Sequence, residues 1–290
     1  MSQLSGVMQF MVARGRTGAR PRSTPPVIVV GAGKGGIGTS TVAALLASAM
    51  SEDRNVLLVE TGHQLGVVHH MLGVECPLSL DDLRTGRAEP EQLLVAVAEG
   101  LTMLSAHSPP TADPLTAAER KLLFRRTTAL YDKFDLVVVD AGSTVDSIVA
   151  ASSDGAIRFL AVTAPDRITV VSTYALIKLL HVRCPDVRVE VIANRCDGET
   201  ALRTVESLTE ACERFLHRPV DFAGAVPDDP NFRNALAAGI SAVDAAAGSP
   251  AADALRSIGA RFAPLPSAVP ASNAHHPRSD RLDRASTSRA

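Results

Sequence analysis

The sequence has little lysine, few aromatic residues and no long apolar run. Only four of its 29 basic residues are lysines, and aromatic residues make up 3% of the 290-residue chain, with no tryptophan. So few aromatic rings disfavour recognition of nucleic acids by base stacking, and we expect no specific nucleic-acid partner. No apolar run approaches the roughly 20 residues that cross a bilayer, and no secretory leader is recognisable. We therefore expect a cytoplasmic protein.

The chain also lacks paired cysteines. Its four cysteines are far apart in the sequence and none forms a Cys-x-x-Cys pair, so neither a disulfide framework nor a zinc site is indicated. Hydrophobic residues make up 46% of the chain and charged residues 21%, which is typical of a folded domain with a buried core. Reduced and mostly buried thiols fit that interpretation.

Charge is distributed unevenly along the chain. Residues 1–26 carry four arginines and no acid, and residues 263–290 carry four arginines and two aspartates. Because the whole chain has a formal net charge of −2, residues 27–262 carry about −8. We expect a disordered basic arm over residues 1–26 and a disordered tail rich in Pro, Ser, Ala and Arg over residues 263–290. The acidic middle predicts at most weak contact with anionic membranes.

Between these arms, short β-branched runs alternate with helix-sized segments. This alternation predicts one α/β domain over residues 27–262, with a doubly wound, mostly parallel sheet and helices on both faces. Most of the runs are continuously apolar, as strands buried on both faces should be. The predicted strands are residues 27–30, 56–59, 101–104, 136–139, 159–162, 187–192 and 222–226. The predicted helices include residues 117–131, 168–181 and 202–215.

A glycine-rich segment, residues 31–41 (GAGKGGIGTST), stands between the first predicted strand and a predicted helix. A strand, a glycine-rich turn and a helix N-terminus in this order form a phosphate cradle, because backbone N–H groups converge there and the helix dipole favours an anion. A hydroxyl residue at the start of the helix can also ligate Mg²⁺. The segment therefore predicts a nucleotide site. Its candidate residues are Gly33, Lys34, Gly35, Gly36, Ile37, Gly38, Thr39, Ser40 and Thr41.

Residues 34–38 (KGGIG) resemble the deviant Walker A motif of the MinD/ParA ATPases, in which a signature lysine precedes two glycines. The resemblance implies a P-loop NTPase fold, ATP or ADP with Mg²⁺ as ligands, and a nucleotide-dependent homodimer. It gives Lys34 a catalytic role, in which the lysine reaches the phosphates of the partner subunit. The run that ends at Asp140 resembles the Walker B strand, which makes Ser40 and Asp140 the implied Mg²⁺ residues.

Two later segments resemble the part of these ATPases that binds the base. Asn194 and Arg195 end a predicted strand and are similar to the Asn-Arg pair that reads adenine, with the Asn194 amide able to pair with the base edge. The segment around Pro227 and Asp228 resembles the loop that covers the base. The four motifs follow one another in the order of the family.

Three positions depart from the family pattern. Thr39 stands where the family has the lysine that neutralises the β- and γ-phosphates, Gly62 stands where it has a second acid, and Thr144 falls at the place of its switch glycine. A hydroxyl group supplies no positive charge, and charge-assisted contacts to phosphate are roughly twice as strong as neutral ones. We therefore expect weak or absent ATP hydrolysis, with a pseudo-ATPase scaffold as the alternative.

Within this family, residues 163–169 and 174–178 resemble the FlhG branch (FleN, YlxH), which governs flagellar number and placement. This resemblance implies a regulator of flagellar biosynthesis that acts through protein contacts. The implied partners are an FlhF-like GTPase, a flagellar transcription activator or a flagellar switch protein, and the implied localisation is polar or peripheral to the membrane. A loop without the second lysine also resembles the TadZ/CpaE localisation factors of pili and secretion, which remain the alternative.

Overall fold

The computed structural model describes residues 25–61, 66–105, 116–152 and 157–262. The predicted tail and all but the last two residues of the predicted basic arm lie outside these ranges. The described strands are β1 (Val27–Ala32), β2 (Val56–Glu60), β3 (Leu94–Ala98), β4 (Leu101–Ser105), β5 (Leu136–Gly142), β6 (Ile157–Thr163), β7 (Arg188–Asn194) and β8 (Asp221–Val226).

Helices connect most of these strands. They are α1 (Thr39–Met50), α2 (Val68–Met71), α3 (Leu80–Arg84), α4 (Ala117–Thr127), α5 (Val145–Ala151), α6 (Arg167–Arg183), α7 (Gly198–Leu216), α8 (Pro230–Ala237), α9 (Ala242–Ala245) and α10 (Pro250–Ala260). Two 3₁₀ helices cover Pro90–Leu93 and Thr128–Lys133. Among the described helices, none is long and apolar enough to cross a membrane.

The strands form one sheet in the order β3-β4-β2-β5-β1-β6-β7-β8. Every neighbouring pair is parallel except β3 and β4, which are antiparallel. The predicted α/β class with a mostly parallel sheet is therefore confirmed. Since β1 lies between β5 and β6, the loop after β1 and the end of β5 lie at the same edge of the sheet, where open α/β sheets bind ligands.

Both faces of the sheet are covered, as predicted. One apolar core packs α1, α2 and α8 to α10 against one face, and a second core packs α3 to α7 against the other. In β1, Ile28 and Val30 belong to the first core and Val29 to the second. Alternate side chains of one strand are thus buried on opposite faces, which explains why its run is apolar throughout.

Two elements differ from the sequence predictions. The helix predicted over residues 117–131 is α-helical only to Thr127 and continues as the 3₁₀ helix. Strand β3 was not predicted, although its sequence, Leu-Val-Ala-Val-Ala, is apolar throughout; two of the five residues are alanine, which is depleted in strands, and the strand is a half-exposed edge strand. The four cysteines are free, and three of them are buried.

Candidate nucleotide site

The loop of residues 33–38 joins β1 to α1 at the carboxyl edge of the sheet. Gly36 has a φ of 80° and Gly38 a φ of 88°, a left-handed conformation that glycine adopts without strain. Gly38 is the N-cap of α1, where no side chain caps the first turn. The first-turn N–H groups of α1 together with its dipole are the arrangement that receives phosphate in P-loops.

The start of this loop packs directly against α6. A Cβ atom at Gly33 would lie 2.1 Å from the carbonyl oxygen of Ser172 and 2.8 Å from the backbone nitrogen of Thr173. Such distances are far below van der Waals contact, so no larger residue fits at position 33 without a shift of the backbone. The sequence indicated that glycine was needed here for loop shape; the structure adds the contact with α6.

Asn194 and Arg195 lie against the same loop. The buried Asn194 side chain donates an N–H from Nδ2 to the carbonyl oxygen of Ile37, with a distance of 2.7 Å. Arg195, whose φ is 60°, donates from Nη1 to the carbonyl oxygen of Gly36 at 3.3 Å. The structure therefore brings the predicted base-reading residues to the loop and gives them a role in fixing its backbone. Pairing of the Asn194 amide with a base edge stays a prediction.

Ser40 and Asp140 also meet. The Asp140 carboxylate is 3% exposed, and it accepts hydrogen bonds from the Ser40 hydroxyl and, at 3.1 Å, from the backbone N–H of Gly142. Burial raises the pKa of Asp140, the two hydrogen bonds oppose that rise, and the nearby Glu60 charge adds to it. A hydroxyl and a carboxylate oxygen are ligands that suit Mg²⁺, so these residues fit the predicted metal.

Glu60 has a role that the sequence did not reveal. It is 1% exposed, and its Oε1 accepts N–H groups of Val67 and Val68 at 2.7 and 2.8 Å, at the start of α2. Its Oε2 accepts the Ser105 hydroxyl at 3.0 Å and lies 3.7 Å from Nδ1 of His69. An acid at the end of a fully buried strand was the available signal. Gly62, the predicted departure beyond it, lies outside the described residues.

The remaining loop residues are placed as follows. Thr39 is buried as the first residue of α1, whereas Lys34, Gly35 and Gly36 are exposed. Lys34 lies near Asp166, the N-cap of α6; the Thr169 hydroxyl and N–H lower the pKa of Asp166, and the Lys34 charge contributes. The signature lysine of the loop, Lys34, is thus present, whereas the position of the second lysine is held by the hydroxyl residue Thr39.

The loop around Pro227 and Asp228 joins β8 to α8. Asp228 is exposed and pairs with Arg233. The next residue, Asp229, caps α8 by accepting the backbone N–H of Phe232, and it also accepts a hydrogen bond from the Ser249 hydroxyl. Burial would raise the pKa of Asp229, but the hydrogen bonds outweigh burial and lower the pKa. Because the backbone N–H of Cys196 donates to the carbonyl of Val226, the two segments predicted to hold the base are neighbours.

Comparison with known proteins identifies relatives of this chain. No protein-family model matches it. The antiactivator FleN of Pseudomonas aeruginosa is 29% identical over 213 residues, which cover 72% of this chain and 76% of FleN. An uncharacterized ATP-binding protein of Methanocaldococcus jannaschii is 28% identical over 240 residues, which cover 81% of this chain and 86% of that protein.

Solved structures show the same fold. The MinC:MinD cell division protein complex of Aquifex aeolicus contains a chain that superposes with a TM-score of 0.64 at 22% identity, covering 81% of this chain and 94% of that one. Together with the sequence relatives, this match confirms the predicted resemblance of the chain to the MinD/ParA ATPases.

Proposed function

We propose that this protein is a regulatory switch that binds ATP or ADP with Mg²⁺ and acts through contacts with other proteins. The observation that carries the proposal is the hydrogen bond from Asn194 to the carbonyl of Ile37. This bond joins the end of β7, which is predicted to bind the base, to the loop that is predicted to bind the phosphates. The two predicted parts of the nucleotide site are therefore held together. The archaeal relative named as an ATP-binding protein supports the same ligand.

Different residues of the chain would bind the phosphates, the Mg²⁺ ion and the base. The loop N–H groups and the first turn of α1 would receive the phosphates, and Ser40 with Asp140 would hold Mg²⁺, which screens the phosphate charge. Asn194 and Arg195, with Pro227 and Asp228 beside them, would surround the base. Asp140 is positioned for this by the Ser40 hydroxyl and the Gly142 N–H.

We propose that hydrolysis is slow or absent. The buried Thr39 places a hydroxyl group where the family has a lysine, and a neutral contact to phosphate is worth about half of a charge-assisted one. The exposed Lys34 is the loop cation that would reach the phosphates of a second copy. Nucleotide binding would then shift a monomer–dimer equilibrium without rapid turnover.

A role in flagellar biosynthesis is the finer proposal. Its support is the similarity to FleN, which is named as an antiactivator, together with the FlhG-like segments. The partners would be an FlhF-like GTPase, a flagellar transcription activator or a flagellar switch protein. The protein would act in the cytoplasm, at a cell pole or at the periphery of the membrane.

A pseudo-ATPase scaffold is the second candidate function. The buried hydroxyl of Thr39 favours it, because a site without the lysine can keep its fold and its protein-binding faces after turnover is lost. Such a scaffold would resemble the TadZ/CpaE localisation factors. ATPase activity that is abolished by Lys34→Ala would contradict this second candidate.

Equilibrium titration with fluorescent ATP and ADP in the presence of Mg²⁺ tests the first proposal. We expect saturable binding by the wild type at submillimolar nucleotide, at least 10-fold weaker binding by Asn194→Ala, and an ATP-dependent increase in apparent mass on sizing. Asn234→Ala, an exposed asparagine of α8, is the matched control. Absence of binding at millimolar nucleotide would contradict the proposal.

A further inference from the structure

Helix α6 exposes an apolar stripe to solvent. Ile168, Val171 and Val182 are 68%, 59% and 72% exposed, and Ala175 and Lys178 are exposed between them. At 100° per residue these five positions fall within about 80° of one another around the helix and span about 21 Å along it. We call these five residues the α6 face. The opposite side of the helix is buried in the core.

The charges of α6 are all of one sign. The helix contains Arg167, Lys178 and Arg183 and no aspartate or glutamate, although residues 27–262 as a whole are acidic. Burial, together with the Arg218 guanidinium, lowers the pKa of His181 and so favours its neutral form. The carboxylate at the start of the helix, Asp166, is bound to the N–H and the hydroxyl of Thr169. The α6 face is thus an apolar stripe that contains one cation, Lys178, and has Arg167 and Arg183 at its two ends.

We infer that the α6 face binds an acidic amphipathic helix of a partner protein. Large apolar side chains of such a helix would cover Ile168, Val171 and Val182, in the manner of other amphipathic helices that dock through i, i+3 and i+7 anchors. Carboxylates flanking its apolar side would meet Arg167, Lys178 and Arg183, which fixes orientation and excludes basic partners. This inference does not depend on nucleotide binding.

The two basic segments at the ends of the sequence lack the negative charge that would suit the α6 face. Residues 1–26 are basic without an acid, and residues 263–290 carry a net positive charge, so both would be repelled by the cations of α6. A second copy docked α6 against α6 would place three cations opposite three cations. Like charges across an interface disfavour that pairing.

A membrane also fits less well than a helix. Helix α7 packs beside α6, and it exposes four glutamates (Glu199, Glu206, Glu210 and Glu213) against two arginines (Arg203 and Arg214), a net charge of −2. An anionic bilayer is a broad surface, so contact with the α6 face would bring these four acids near lipid headgroups of the same charge. A single helix can cover the α6 face without meeting them.

The test uses a designed peptide as the probe. It is an 18-residue fluorescein-labelled peptide with leucines at i, i+3 and i+7 spacing on one side and glutamates on the other; a second peptide has lysine at every glutamate. By fluorescence anisotropy we expect saturable binding of the glutamate peptide and at least 10-fold weaker binding of the lysine peptide. Val171→Glu and, separately, Lys178→Glu are each expected to weaken glutamate-peptide binding at least 10-fold.

Leu122→Glu is the matched control, because Leu122 is an exposed apolar residue (63%) of a different helix, α4. Its peptide affinity should equal that of the wild type, and circular dichroism melting should show that all variants fold. The inference is wrong if the glutamate peptide does not bind, if the lysine peptide binds equally well, or if Val171→Glu and Leu122→Glu behave alike. Vesicle binding with phosphatidylglycerol, or self-association, that Val171→Glu abolishes would assign the face to a membrane or to a second copy and overturn the inference.

Discussion

The side-chain amide of Asn194 donates a hydrogen bond of 2.7 Å to the carbonyl oxygen of Ile37, across 157 positions of the sequence. This bond fastens the end of β7 to the middle of the glycine-rich loop. A Cβ atom at Gly38 would lie only 2.7 Å from the same Nδ2 atom, so the amide also fits closely over the loop. The conformation of the phosphate loop therefore depends on a strand two places away in the sheet.

Removal of this bond should destabilise the protein even without ligand. Asn194→Ala leaves a buried carbonyl without its donor, which we expect to cost ~1–3 kcal/mol of unfolding free energy. Urea denaturation followed by circular dichroism measures the change. The exposed control Asn234→Ala should stay within about 0.5 kcal/mol of wild type, and an equal loss in both variants would show that the Asn194 bond is not the cause.

Alanine at position 33 should be tolerated poorly. Gly33→Ala would bring its Cβ within 2.1 Å of the Ser172 carbonyl oxygen, which forces the loop and α6 apart and should cost ~1–3 kcal/mol. Gly35→Ala is the matched control, since its Cβ would meet Ser143 Oγ at 3.4 Å, an ordinary contact. Thermal melts should therefore show a clearly lower Tm for Gly33→Ala than for Gly35→Ala; equal values would mean that α6 moves freely away from the loop.

Restoring the missing lysine should strengthen ATP binding. Thr39→Lys places a cation at the start of α1, where it can reach the phosphates, and we expect ATP to bind ~1–3 kcal/mol more tightly. Calorimetric titration of wild type and variant measures the difference. Thr41→Lys, with the same charge two residues further along α1, should have the smaller effect. Unchanged affinity in Thr39→Lys would mean that the loop does not cradle phosphate.

The pH dependence of stability should carry a contribution from Asp140. Burial raises the pKa of this carboxyl in the folded state, so the folded protein binds its proton more tightly than the unfolded chain does. The contribution of Asp140 to stability therefore declines as the pH rises above the ordinary carboxyl pKa of about 3.9.

Asp140→Asn removes this titration and keeps an oxygen for the Ser40 and Gly142 donors. We expect the variant to be more stable than wild type at pH 7 without ligand, with a difference that shrinks towards pH 4, and to lose Mg²⁺-dependent nucleotide binding. Urea unfolding between pH 4 and pH 7 measures the stability difference, and nucleotide titration with and without Mg²⁺ measures the Mg²⁺-dependent binding. A stability difference that grows at low pH would contradict the assigned direction of the pKa shift.

The local pattern of the sequence specified much of the fold. The apolar run from Leu136 to Val139 predicts a strand buried on both faces, and it forms the first part of β5. Residues 31–41 predict a glycine-rich turn between a strand and a helix, because glycine is needed where φ is positive, and Gly36 and Gly38 have that conformation. Strand β3 was missed although its run is apolar, since two of its five residues are alanine, which is depleted in strands, and it lies half-exposed at the edge of the sheet.

The candidate site was only partly predictable. Its residues could be chosen by family resemblance, but the partners of those residues could not: Asn194 contacts Ile37, Glu60 holds the start of α2, and Gly33 packs on Ser172. Each contact joins segments that only the strand order brings together. The sequence by itself determined the central strands, the long helices and the glycine-rich turn, since these follow from short-range periodicity and backbone sterics. Only the tertiary structure decided which carbonyl each side chain meets and which face of α6 remains in solvent, because both depend on packing between residues far apart in the chain.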